Sequence, residues 1–172
     1  YQLMVGNGAG TRSETNKDKK YYLALSSEPT KKLVFQLYGD YENGPSSAYT
    51  IQGFVGLKGV SGRAGILYAQ RNIKQDGSVD QTIDLASLYG VANIKENVAL
   101  IARVDILLDP NPKADKISYL PMVKDAKSTF YLLGADFKVA ERVNIQPNVE
   151  LVTYSGDNGS DLLPRVTIFY KF

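Results

Sequence analysis

Arg165-Val166-Thr167-Ile168-Phe169-Tyr170-Lys171-Phe172 ends the sequence. Val166, Ile168, Tyr170 and Phe172 share one parity, and Arg165, Thr167 and Lys171 share the other. Alternate residues of a strand face opposite sides. The stretch therefore predicts a strand that is apolar and aromatic on one side and mostly polar, with Arg165 and Lys171, on the other. A soluble sheet with one wet face uses such strands, and so does the wall of a membrane barrel. The preceding residues have to decide between them.

The same alternation recurs upstream, and helical periodicity is weak. Strands are expected over 20–27, 32–41, 49–58, 63–72, 82–93, 98–108, 129–139, 145–154 and 164–172, with 1–5 as the end of a further strand. That makes about ten. Lengths of roughly ten residues suit a bilayer crossed at a tilt of about 45°. Soluble sheets more often use about five or six. Val98, Leu100, Ala102, Val104, Ile106 and Leu108 fall on one face of their strand, with Arg103 and Asp105 on the other. Leu33, Phe35, Leu37 and Tyr41 oppose Gln36, Tyr38 and Asp40. Tyr131, Leu133, Ala135, Phe137 and Val139 oppose Gly134, Asp136 and Lys138, and Val149 and Leu151 oppose Asn148 and Glu150. Over 63–72 the facing stays open, because Arg63 and Arg71 share one side and Gln70 and Asn72 the other.

The connections carry an independent signal. Short turns at 27–31, 59–62, 94–97 and 140–144 alternate with longer links at 6–19, 42–48, 73–79, 109–128 and 155–163. Outer-membrane barrels have this asymmetry, with tight periplasmic turns and longer extracellular loops. A soluble sandwich has no reason to keep it. Tyr21, Tyr41, Tyr49 and Tyr131 lie near strand ends adjoining long links, and Phe137, Tyr170 and Phe172 lie toward the opposite rim. Two aromatic girdles are expected from that placement.

Composition removes several functions. Cysteine and histidine are both absent, which excludes disulfides, Cys/His zinc sites and thiolate or imidazole catalysis. A net charge of +2, from 20 basic and 18 acidic residues, argues against a nucleic-acid binder. No apolar run approaches the roughly 20 residues of a membrane helix. The mean hydropathy of −0.21 would suit a soluble protein, but a barrel escapes that test because only alternate residues meet lipid.

The aromatic ending resembles the carboxyl-terminal strand of bacterial outer-membrane β-barrels. In that family the final aromatic forms part of a signal read by the assembly machinery, a role the resemblance implies for Tyr170 and Phe172. Tyr1-Gln2-Leu3-Met4-Val5-Gly6-Asn7-Gly8 resembles a strand-to-loop segment of outer-membrane porins of the phosphate-selective porin O and P kind. Ala102-Arg103-Val104-Asp105, followed by Asp109-Pro110, resembles their aromatic-Ala-Arg-Tyr-Asp strand. Gly134-Ala135-Asp136-Phe137 with Asn144-Ile145-Gln146-Pro147-Asn148 resembles their penultimate hairpin. The resemblance implies a barrel of about sixteen strands, of which this sequence is the carboxyl-terminal part, with strands preceding Tyr1.

Phosphate selectivity does not carry over. It calls for a positive constriction, whereas the expected lumen mixes Arg103, Lys138, Arg165 and Lys171 with Asp40, Asp84, Asp105, Asp136 and Glu150. Arg103 and Asp105 form either a rung of a charge ladder or a wall salt bridge. Asp157-Asn158-Gly159-Ser160-Asp161 has oxygen donors around a Gly turn but lacks the closing Glu of a helix-loop-helix calcium loop, and reads as a polar turn. Gly6-Asn7-Gly8-Ala9-Gly10 follows a strand but leads into no helix, so it is no phosphate cradle. Lys17-Asp18-Lys19-Lys20 and Lys31-Lys32 read as interfacial charges. The long link 109–128, with Pro110, Pro112 and Pro121, is a candidate to fold into the pore or to contact a partner.

The expectation is thus an all-β, antiparallel transmembrane barrel in a Gram-negative-type outer membrane, passing small hydrophilic solutes through a polar lumen. Its partners would be outer-membrane lipid, the assembly machinery, and copies of itself or a membrane complex. Cofactor, enzymatic activity and nucleic acid are not expected. A non-conducting barrel serving as structural anchor is the alternative, and a soluble β protein binding ligands on its polar face is a third reading.

Overall fold

The computed structural model describes residues 1–7, 17–44, 47–74, 80–112, 114 and 117–172. Its strands are β1 (Gln2–Asn7), β2 (Lys19–Thr30), β3 (Leu33–Glu42), β4 (Ala48–Gly59), β5 (Gly62–Ile73), β6 (Gln81–Lys95), β7 (Val98–Leu107), β8 (Ser128–Ala140), β9 (Val143–Tyr154) and β10 (Ser160–Tyr170). They form one 10-stranded sheet in chain order, every neighbouring pair antiparallel. β1 and β10 do not pair with each other, so the sheet is open. The expectation of a closed barrel is corrected to this extent: each terminal strand has one hydrogen-bonded neighbour among the ten, and its outer edge is free.

The four short connections are two-residue turns, at Lys31-Lys32, Val60-Ser61, Glu96-Asn97 and Glu141-Arg142. They are shorter than the sequence suggested because the strands run on into the expected turns. β2 continues through Pro29 to Thr30, β6 to Lys95 and β8 to Ala140. Each of these three extensions contains a register shift, between Ser27 and Thr30, Asn93 and Lys95, and Lys138 and Ala140. A bulge accommodates one extra residue and sharpens the local twist, and it tolerates Pro29, whose nitrogen cannot donate to a ladder. The second residue of every turn then accepts a main-chain bond from beyond the strand that follows it: Lys58 N of β4 donates to Lys32 O, Asn93 N of β6 to Ser61 O, Lys138 N of β8 to Asn97 O, and Lys171 N, just past β10, to Arg142 O, at 2.7–2.9 Å. All four turns and the end of β10 lie at one rim. The longer connections lie at the other.

Cross-strand register assigns the two faces. Phe35, Val55, Ile66, Leu88, Val104, Tyr131, Leu151 and Leu162 are successive partners from β3 to β10, an unbroken apolar row. One residue along, Gln36, Phe54, Leu67, Ser87, Asp105, Phe130, Val152 and Asp161 form the corresponding row of the opposite face. The first face is apolar throughout its middle, and the second is mixed.

Burial is the reverse of a soluble sheet. The buried strand residues Val34, Ala48, Ile73, Ser87, Ser128 and Val152 all belong to the mixed face. On the apolar face Leu37, Leu88, Leu133 and Ile168 are 58–68% exposed. The accessible surface is 12,002 Å² for 18.9 kDa, against about 8,300 Å² for a globular monomer of that mass.

Two aromatic rings set the thickness of the mixed face over β4–β6. Phe54 and Tyr89 stack with centroids 6.3 Å apart and an interplanar angle of 7°. They lie over the cross-strand pair Gly56 and Gly65, where a Cβ on Gly65 would come within 2.6 Å of both rings. Gly62 is constrained by its backbone instead. Its φ of 149° disfavours any L side chain, and a Cβ there would run into the Val91 carbonyl oxygen. Replacing Gly62 by Ala is expected to destabilise the β5–β6 pairing by about 1–3 kcal/mol. Thermal unfolding followed by circular dichroism checks this, with Gly90→Ala, which meets no neighbouring atom within 4 Å, as the near-neutral control.

Candidate functional site

Apart from Asp84, the mixed face collects the charged side chains of the strand interiors. On β7, Arg103 and Asp105 are two residues apart and therefore share a side, and Arg103 Nε lies 2.9 Å from Asp105 Oδ1. Ser87, directly across on β6, donates its hydroxyl to the same oxygen. On the far side of β8, Glu150 of β9 meets Arg165 of β10, with Oε2 3.2 Å from Nε. Arg165 also donates through Nη2 to the carbonyl oxygen of Tyr119, at 2.6 Å. Both acids are sheltered, with side chains 16% and 12% exposed, whereas Arg103 and Arg165 are 50% and 39% exposed. The guanidiniums therefore stand nearer the open space than the carboxylates they neutralise.

A second cluster lies on β2 and β3. Lys20 Nζ is 3.2 Å from Asp40 Oδ1, and the Tyr38 hydroxyl donates to Asp40 Oδ2 at 2.7 Å. The Lys20 ammonium also sits 5.3 Å from the centroid of the Tyr22 ring. A carboxylate so shielded persists only when paired and hydrogen-bonded. Lys20 had read as an interfacial charge, but its register opposite Glu42 turns it to the mixed face. Elsewhere on that face Asn144 donates to Asp136 at 2.7 Å, and Tyr154 donates to Asp161 at 2.6 Å.

Of the nine expected lumen residues, Lys171 lies past the last ladder residue of β10; of the other eight, Asp40, Arg103, Asp105, Asp136, Lys138, Glu150 and Arg165 share the mixed face. Asp84 does not. Its partner across the ladder is Gln70, in the row that continues through Ile51, so it lies on the apolar face near the long-connection rim. Its main-chain N donates to Asp109 Oδ2 at 2.9 Å. Tyr170 is the last ladder residue of β10 and Phe172 follows it, the two rings 6.5 Å apart and both well exposed. Asp161 is committed to Tyr154, and Asn158 donates to the Ser155 carbonyl oxygen, so 155–159 forms a hairpin turn with Gly156 and Gly159 at positive φ. Among the described residues no group of three or more acids is placed to hold a metal. Gly8, Ala9 and Gly10 of the Gly-rich stretch lie outside the described residues.

Residues 117–127 of the long connection complete the site. Ala114 and Ala126 are only 1% and 2% exposed, and Tyr119, Leu120 and Met122 lie over β6–β10. Between this arch and the sheet is a cavity of about 470 Å³, walled by Leu85, Leu107, Phe130, Leu132 and Val152 and bordered by Arg103, Asp105, Glu150 and Arg165. Sequence reading missed the apolar wall. The signal was available in parity, since Phe130 and Leu132 alternate in step with Asp136.

Arg165 is the tie between arch and sheet. Arg165→Ala is expected to release the arch, raising amide hydrogen exchange over 119–122 by about tenfold or more, as loss of a bond to a charged donor implies. Arg165→Lys, which keeps charge but not the fork that reaches Glu150 and Tyr119 together, should restore little of the protection. Set against models of known families, curated proteins and solved structures, the chain finds no match in any of the three.

Proposed function

We propose that this chain forms part of the wall of an outer-membrane β-barrel and that the barrel allows passive diffusion of small hydrophilic solutes or ions. The reading rests on one observation above the others: a face that is apolar through its middle and exposed along the strands, with the buried strand residues and the ion pairs of Asp40, Asp105 and Glu150 on the opposite face. In water such a face is a large unpartnered patch. Against lipid it is the expected wall, and the mixed face becomes the lumen. β2–β10 run 10–15 residues, enough for a tilted crossing. Tyr21, Tyr41 and Tyr49 are cross-strand partners in one row at the long-connection rim, in keeping with an interfacial girdle.

Lipid tolerates no unpaired strand edge. The reading therefore requires further strands to pair with β1 and β10, as the resemblance to porins of the phosphate-selective kind implies. The lumen would filter by size and charge, with Arg103–Asp105 and Arg165–Glu150 as wall pairs and the arch at 119–122 narrowing the passage. Tyr170 and Phe172 would serve recognition by the assembly machinery. A second reading, a non-conducting barrel acting as anchor or subunit of a membrane assembly, draws support from the arch and apolar cluster on the mixed face, which fill space a channel would leave open.

Two measurements test these readings. The intact protein should migrate heat-modifiably on detergent gels and give stepwise conductance in planar bilayers. Detergent dependence without conductance selects the anchor, and a monodisperse, detergent-free protein without conductance overturns both membrane readings. Leu88→Arg, in the middle of the apolar row, should destabilise a bilayer-inserted protein by about 2–4 kcal/mol. The same change on a water-exposed face would stay within about 0.5 kcal/mol, so urea unfolding in vesicles distinguishes the two environments.

A further inference from the structure

We propose that the cavity beneath the 119–122 arch is a binding site for amphipathic monoanions, small carboxylates with an aromatic or branched apolar body. Its volume of about 470 Å³ falls in the range of small-molecule sites, which are mostly apolar with a few convergent polar groups. Leu85, Leu107, Phe130 and Leu132 supply the apolar wall from the strands, and Leu120 and Met122 supply it from the arch. This side of the cavity rewards an apolar solute body and penalises a fully hydrated one.

The polar border decides the sign of charge. Asp105 Oδ1 already receives both Ser87 and Arg103, and Glu150 is held by Arg165. Arg103 engages Asp105 through Nε, and among the described residues its two terminal nitrogens make no further hydrogen bond. The half-exposed guanidinium thus presents a planar pair of donors, the geometry that grips a carboxylate by two parallel bonds. An ammonium group would meet the outward arginines before the sheltered acids. A multiply charged anion would find two arginines balanced by two acids, and no net charge to repay its dehydration. A single carboxylate on an apolar body satisfies both sides of the cavity.

The inference deepens the porin reading and rests on it for the route by which a solute arrives, but binding itself needs no conduction. Calorimetric titration of the intact protein in detergent with phenylacetate, phenethylamine, phenethyl alcohol and inorganic phosphate tests it. Phenylacetate should bind saturably, and each of the others about tenfold more weakly or worse. Arg103→Gln should weaken phenylacetate by about tenfold. Leu120→Glu, on the arch and outside every strand, should do the same by repelling the carboxylate, so it decides the matter if Arg103→Gln no longer migrates heat-modifiably. Equal binding of the amine or the alcohol, or affinity unchanged in a folded variant, overturns the site. Conductance without selective phenylacetate binding overturns the site and leaves the porin reading standing. Selective binding without conductance does the reverse.

Discussion

Everything in this structure depends on the backbone ladder between sequential antiparallel neighbours. Each inter-strand bond aligns one residue with one partner on the same side, and nine consecutive pairings carry that alignment from β1 to β10. Among the described residues there is no helix layer and no second sheet, so the pairing of neighbours carries the long-range order of the strands. A side chain's environment is therefore set by its parity and by the register inherited from the strand before it. The two-residue turns and their bulges hold that register at one rim. The other rim is left to connections of variable length.

The mixed face shows how charge is kept inside such a sheet. In the pairs of Asp40, Asp105 and Glu150 the acid is the better sheltered member, and two of these acids receive two donors each. Asp40 takes Lys20 and Tyr38, and Asp105 takes Arg103 and Ser87. Breaking a sheltered pair by removing one partner is far costlier than never having built it, so these pairs hold side chains in fixed positions. Arg165 extends the same logic beyond the strands, joining Glu150 to the main chain of the arch. Wall, ion pair and covering segment thus form one connected unit around the cavity.

Much of this was legible in the sequence, for reasons that can be named. Strands with charge on a single parity, such as 98–108 and 129–139, assign their own faces, and Arg103 and Asp105 were recognisable as a pair because two residues bring them to one side. Asp84 misled because its strand carries apolar residues on both parities, Leu85 and Leu88 among them, so alternation has no preferred phase there. Only the register with Gln70 settles the matter. The bulges were invisible for a related reason: one added residue leaves composition unchanged and is detectable only in pairing. The apolar wall of the cavity was hidden because Leu and Phe on an expected lumen face look like exceptions until the arch that covers them is in place. The open edges of β1 and β10 are a property of pairing between distant strands, which periodicity within a strand does not reach.

The contrast between the rims also governs which changes of length this chain can accept through descent. Adding one residue to Val60-Ser61 would rotate β5 by one position and send Leu67 and Gly65 to the apolar face, with Ile66 and Tyr68 turned to the mixed face. At Lys31-Lys32, Glu96-Asn97 and Glu141-Arg142 a neighbouring bulge already absorbs one odd residue, so gain and loss there must occur in compensating steps. The opposite rim obeys no such arithmetic. Natural variation in length should accordingly gather at the long connections, while related chains keep the short turns residue for residue.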